Sequence, residues 1–399
     1  MTVLPGLFLL LAETALEAGS PLALLWSAPG IIVASLMIAW AAEAAQFFLA
    51  QGIALAVLAL LQTLPEFAVE AVLAWHKAVP YLFANLTGAL KLLTGLGWPL
   101  IYVAAARAHR SSEKRAMRRI RLDEAQSVQI FALLAGIAWQ FLVWWKGSLT
   151  IFDAIALLLI YVGYLWIMRR LPPEEAETID EIAAVPRAIV KASRAARITA
   201  ILGLFIVGGT AVFLVADPFL SSLFGLSTML GISSFVFISW VAPMVSEAPE
   251  GISAFYWARN FERASIALMN LVSSNINQWT LLAAMLPLVL SVSAGRISEI
   301  PLDPEQSTEL LLTLAQSLLG ALFLLNMELS WWEAAGLFLL WLVQFLFSLG
   351  ATGQLVHHIT TGIYFAWCVV EIARLATGNR KARAFGHMRD VLFGRSARG

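Results

Sequence analysis

Charge is scarce in this 399-residue chain: 13% of it is Asp, Glu, Lys or Arg, against about 25% in an ordinary soluble domain. Cysteine is scarcer still, a single Cys368 inside an apolar run, so no intrachain disulfide is available, and five scattered histidines with it make no zinc-site spacing. Neither sign of charge is in excess, because 26 basic and 26 acidic residues cancel. That balance argues against a nucleic-acid binder, whose affinity would come from surplus Lys and Arg. What the chain has instead is apolar residues, 60% of the total, more than a soluble core can hide. A bilayer's hydrocarbon is about 30 Å thick and each helical crossing takes about 20 apolar residues, so there is material for roughly ten crossings. Lipid satisfies no backbone hydrogen bonds, and the apolar runs are long and continuous rather than short and alternating. The expected fold class is therefore all-α, a polytopic membrane protein with membrane lipid as its first partner.

Apolar runs long enough to cross lie at about 30–50, 53–75, 80–106, 128–145, 149–168, 198–226, 232–257, 264–292, 307–326, 332–349 and 356–377, eleven in all. An earlier stretch, Leu4 to Ala15, carries Glu13 and lacks a basic flank, so residues 1–28 read as an interfacial segment rather than a signal peptide. Arginine and lysine cluster after the third span (Arg107 to Arg121), the fifth (Arg169 to Arg197), the seventh (Arg259, Arg263) and the eleventh (Arg380 to Arg398). Each cluster follows an odd-numbered span, which predicts an N-terminus outside and a C-terminus in the cytoplasm. Residues 169–197 form the polar cytoplasmic linker. The basic tail reads either as an amphipathic helix on anionic lipid or as a disordered end.

The linker separates two related halves. Thr63-Leu-Pro65-Glu66 and Glu247-Ala-Pro249-Glu250 each set Pro-Glu deep in an apolar helix. About twenty residues later each half opens a small-residue cluster with asparagine, Asn85-Leu-Thr-Gly88-Ala89 and Asn270-Leu-Val-Ser273-Ser274, and a third pair is LTIFDA from Leu149 and LSWWEA from Leu329. Five spans per unit is an odd number, so the copies enter the membrane in opposite senses. The expected organisation is thus a first five-helix repeat at 29–168, a second at 198–349, and one extra helix plus tail at 350–399. Inverted repeats of this kind imply a secondary transporter with its binding site near the midplane.

Glu66 and Glu250 carry the chemistry. An ionised carboxylate at the bilayer centre costs about 2.5–3.5 kcal/mol even on a lenient scale, which a cation, a proton or a water-filled cavity must offset. The adjoining prolines remove backbone donors and free carbonyl oxygens beside each Glu, the hard oxygen set that sodium and calcium prefer. Glu247 lies one turn before Glu250 and Glu70 one turn after Glu66, so both could extend the site; Glu70 could equally pair with the intramembrane Lys91. Glu43 has the same ambiguity, and His357-His358 read as interfacial residues.

These elements resemble the sodium/calcium exchanger family, whose repeats each carry Gly-Thr-Ser-x-Pro-Glu in one helix and Gly-Asn-x-x-Gly-Ser-Asn in the next. The resemblance covers roughly residues 29 to 349 and implies that Glu66 and Glu250 are the central cation ligands. It extends the expected ligand set to Gln62 and Thr63 in the first repeat, and to Ser246, Glu247, Ser274 and Gln278 in the second. The chain departs from the family pattern at Ala89, where the first repeat loses its liganding serine, and at Leu93. The expected function is antiport of calcium, or a similar divalent cation, for sodium or protons by alternating access, with no cofactor. Alternatives are a degenerate member that binds or senses cations without transport, and a membrane-embedded hydrolase using the two acids on water.

Overall fold

The computed structural model describes residues 19–48, 63–171, 182–348 and 353–393. The expected helix at Leu4 to Ala15, Gln62 and the acidic part of the linker lie outside these residues. Among the described residues nine helices are long and apolar enough to cross a membrane. They are α1 (Pro21–Phe48), α3 (Val79–Glu113), α4 (Glu124–Lys146), α5 (Ile151–Met168), α7 (Arg194–Leu230), α10 (Phe261–Ala294), α11 (Pro304–Leu324), α12 (Trp331–Ser348) and α13 (Gly353–Ala376). Shorter helices are α2 (Leu64–Trp75), α6 (Ala184–Lys191), α8 (Ser234–Ser246), α9 (Ala248–Ala258) and α14 (Arg383–Leu392).

Proline explains the short ones. Pro65 and Pro249 occupy the first turns of α2 and α9, where a missing N–H is one of the helix's orphans anyway. The same missing N–H denies a partner to the carbonyl four residues back, so α8 stops at Ser246 and α9 starts anew at Ala248, with Glu247 at the joint. Thr63 is the residue immediately before α2. The seventh crossing is therefore a broken helix, and α2 is the second half of the crossing expected at 53–75.

Two small strand pairs fix the inverted arrangement. β1 (Arg119–Arg121) runs antiparallel to β4 (Glu328–Ser330), and β2 (Ser148–Leu149) to β3 (Ile300–Pro301). Each pair joins a loop of one half to a loop of the other. β1 follows the third crossing and β4 the ninth, whereas β2 and β3 follow the fourth and eighth, so the pairs lie on opposite faces of the helical layer. The chain is an all-α polytopic membrane protein of two inverted five-helix repeats, with α13 as an extra C-terminal helix.

The halves also share their end caps. Thr150 N–H donates to Asp153 Oδ2 at the start of α5 (2.7 Å), and Ser330 N–H donates to Glu333 Oε2 at the start of α12 (2.7 Å). This is the physical content of the LTIFDA and LSWWEA match: an acid in the first turn holding a backbone donor that the helix cannot. The cation beside each acid differs. Lys146 of α4 pairs with Asp153, while Arg380 of the tail bridges Glu333 and Glu371 and donates to the Phe323 carbonyl (2.7 Å).

Among the described crossings α11 is the most enclosed by protein, whereas α7 lies along α1 with most of its surface outward. At the centre α3 crosses α8 so closely that a Cβ on Gly88 would run into the Ser239 carbonyl and Pro243. Two expectations are corrected by packing. The first crossing begins at Pro21, not near 30, because Ser20 caps the turn by accepting from Leu22 N–H (3.3 Å) and Pro21 starts it. The tail is not disordered over Arg383–Leu392 but forms α14: Ala384 is buried with its N–H on the Leu325 carbonyl (3.0 Å), and Phe385 packs edge-on against Phe131 of α4, while Phe385, Leu392 and Phe393 keep exposed surface.

Candidate cation site

The two Pro-Glu turns bring Glu66 and Glu250 to the first turns of α2 and α9, where the positive end of the helix dipole favours a carboxylate. Glu66, Glu247 and Glu250 are at most 4% exposed, and Glu66 lies within Coulombic range of both others. Around Glu250 the second repeat supplies donors: Ser274 Oγ donates to Oε1, and Asn270 Nδ2 reaches the same oxygen at 3.4 Å. Gln278 Nε2 donates to Glu247 Oε1. Ser246 is buried beside the joint and Thr63 just before α2. Of the expected ligand set, the structure thus gathers Glu66, Glu247, Glu250, Ser274 and Gln278 around one region, flanked by Ser246 and Thr63.

The helices that face the acids are locally widened. Leu93–Gly97 in α3 and Gln278–Leu282 in α10 are each a single π turn, eight residues after Asn85 and Asn270. Such turns shift side chains out of α-helical register and occur often at functional sites. Gln278 opens the second one, and this is how it reaches Glu247. Leu93 opens the first and offers no polar atom.

The repeats are accordingly unequal. Where Ser274 meets Glu250, the first repeat has Ala89. Asn85, the counterpart of Asn270, turns to Glu70 instead, donating from Nδ2 to Oε1 at 3.1 Å. Four buried oxygens of this region, Glu66 Oε2, Glu247 Oε2, Glu250 Oε2 and Ser246 Oγ, have no hydrogen-bond partner among the described residues. Buried carboxylate oxygens without donors are costly unless a cation or a proton joins them. Among the described residues no three His, Cys, Asp or Glu side chains converge closely enough to hold a metal by themselves. A cation here would draw on carbonyl, hydroxyl, amide and water oxygens as well.

Lys91 corrects one expectation. It pairs with Glu309 of α11, not with Glu70, and also reaches Ser239 Oγ (3.4 Å) and the face of Trp240 (4.7 Å). Glu309 in turn meets His357 Nδ1 at 2.7 Å. His357 is therefore buried between helices, whereas His358 is exposed. Glu309 escaped the sequence reading because it sits at the edge of its span, though a buried Lys91 signals that a carboxylate partner must exist. Glu43 accepts from Ala183 N–H (3.4 Å) and binds the linker to α1, away from the acids.

The family model for the sodium/calcium exchanger protein matches residues 19–169 and 200–350. The chain belongs to the sodium/calcium exchanger family. A solved structure of the H+/Ca2+ exchanger CAX is 31% identical, covers 98% of this chain and 99% of its own, and superposes with a TM-score of 0.83. Structures of the sodium–calcium exchanger NCX_Mj, one soaked with Na+ and Ca2+ and one with Na+ alone, are 18% and 19% identical. They cover 81% of this chain and 96% of their own at TM-scores of 0.52 and 0.53, a likeness of fold. A search of curated proteins returns no match. The family and these neighbours are exchangers, so the chain is a secondary transporter of cations, and the hydrolase alternative falls away.

Proposed function

We propose that this exchanger moves calcium, or a similar divalent cation, against protons, with Glu66 and Glu250 as the central ligands and Glu247 as the added proton-carrying acid. The observation that carries the reading is the set of buried carboxylate oxygens on Glu66, Glu247 and Glu250 left without donors among the described residues. A divalent ion offsets two of three carboxylates and leaves a third for a proton; when the ion departs, protons can replace it on the same oxygens. Sodium coupling is the less favoured version, because Ala89 and Leu93 withdraw the neutral oxygens that several simultaneous sodium ions would need. The H+/Ca2+ exchanger CAX, similar over nearly its whole length, points the same way. Thr63, Ser246, Ser274 and Gln278 complete the proposed oxygen set.

The test is uptake of radioactive calcium into proteoliposomes under an imposed proton or sodium gradient. Wild-type uptake should follow the proton gradient, and Glu66→Gln and Glu250→Gln should fall to the level of protein-free liposomes. Uptake driven by sodium and indifferent to pH would overturn the proton version. Calcium binding without uptake under either gradient would instead support a cation-binding member that does not transport.

The proposed orientation has the N-terminus outside and the C-terminus in the cytoplasm, supported by the basic loops around β1, the linker and α14. With Cys368 replaced by Ser, a cysteine introduced at Ser112 should be shielded from an impermeant thiol reagent in intact cells and one at Ser298 labelled. The reverse pattern would invert the topology.

A further inference from the structure

A cavity of about 600 Å³ opens at the end of α3, on the face that carries β1 and β4. Helix α3 lines it with Arg107, Ser111 and Ser112, and the end of α9 and the turn into α10 line it with Phe255, Arg259 and Asn260. Among the described residues no Asp or Glu lines it, and neither guanidinium has a hydrogen bond or an ion pair. Two arginines in one cleft without a counter-charge repel each other, and an anion between them relieves both.

Below the cavity the two helices match. One and two turns back from its arginine, α3 has Val103 and Leu100, and α9 has Phe255 and Ile252 at the same spacing. Each arginine therefore heads an apolar stripe on its own side of the helix. All four stripe residues are between 40% and 56% exposed. Helices α3 and α9 pack on one another, so both stripes descend from the same cleft, about 10 Å into the hydrocarbon over seven residues. The arrangement belongs to one face only. Within the repeat Trp75 stands where Arg259 does, each nine residues after its Pro-Glu acid, and Val292 where Arg107 does, each 22 residues after its asparagine. The symmetry-related groove between α2 and α10 thus has no arginine at either position.

We infer that this cleft holds one anionic phospholipid, its phosphate between Arg107 and Arg259 and an acyl chain along the Val103–Leu100 and Phe255–Ile252 stripes. Ser111, Ser112 and the Asn260 amide supply hydrogen bonds to the headgroup. Free phosphate would satisfy the same donors but leave the stripes bare, which favours a lipid as the occupant. Arg259 follows directly on the helix whose first turn carries Glu250, so the bound lipid ties α9 to α3. The inference rests on this cleft and not on which ions are exchanged.

Native mass spectrometry of the full-length protein in detergent, offered phosphatidylglycerol and phosphatidylcholine at equal concentration, tests it. One phosphatidylglycerol per chain should be retained in preference to phosphatidylcholine. Its affinity should fall about 5-fold in Arg107→Gln or Arg259→Gln and about 25-fold in the double variant. Phe255→Ser should also weaken it, whereas Arg194→Gln, which removes an exposed basic residue at the start of α7, should not. Neither arginine holds a partner among the described residues, so these variants should fold, with an unchanged unfolding temperature as the check. Equal retention of the two lipids, or binding unaltered in the double variant, would overturn the inference. So would displacement of the lipid by inorganic phosphate with Phe255→Ser behaving as wild type, which would assign the cleft to a free anion.

Discussion

The buried charges of this exchanger fall into two kinds that only their partners distinguish. Among the described residues Glu66, Glu247 and Glu250 keep oxygens without donors, while Lys91, Glu309 and His357 close on one another. The first kind is where the proposed cation would bind; the second finds its partners within the protein itself. Removing one member of a closed pair leaves a bare charge in a dry interior, at a cost of about 3–5 kcal/mol. Lys91→Met should therefore lower the unfolding temperature in detergent markedly, and adding Glu309→Gln should recover part of the loss. No recovery would mean that Lys91 acts through something other than that pair. At this scale the sequence was informative about the Pro-Glu acids, because a repeated acid in an apolar helix is visible in one dimension. It offered Glu70 as the partner of Lys91 and missed Glu309, because Glu309 is 218 residues away and the pairing exists only once α3 and α11 pack.

At the scale of elements, the working parts are interruptions: the joint at Glu247, the start of α2 and the two π turns. Proline marks the first two in the sequence. Little in composition marks the π turns, since Leu93–Gly97 and Gln278–Leu282 match in position only at Leu96 and Leu281. The tight crossing of α3 and α8 is equally silent in sequence, for one glycine in an apolar helix has many explanations. Gly88→Val is expected to force α3 and α8 apart, costing about 1–3 kcal/mol or more and reducing calcium uptake. Gly163→Ala, where an added Cβ meets nothing within 4 Å, serves as the control and should change neither stability nor uptake. Equal behaviour of the two variants would show that the crossing tolerates separation.

At the scale of the whole molecule, the two halves are tied across their symmetry by β1–β4 and β2–β3 and stapled at one end by the tail. Arg380 is the staple, because it bridges Glu333 at the start of α12 and Glu371 near the end of α13. Arg380→Met should destabilise the protein by about 3–5 kcal/mol, read as a lower unfolding temperature, since two buried carboxylates lose their common counter-charge. A melting curve unchanged from wild type would remove the tail from the structural core. Sequence by itself determined that the chain crosses a membrane about eleven times, that its halves are inverted copies, and that Pro-Glu is repeated in both. Those properties follow from local hydrophobicity, the parity of the spans and residue order, all of which survive in one dimension. Tertiary structure alone decided which acids Ser274 and Gln278 turn to, Glu250 and Glu247, that His357 is buried, and that the tail docks on α4. Each of these is a choice among partners far apart in the chain, and only the packing of helices against one another makes that choice.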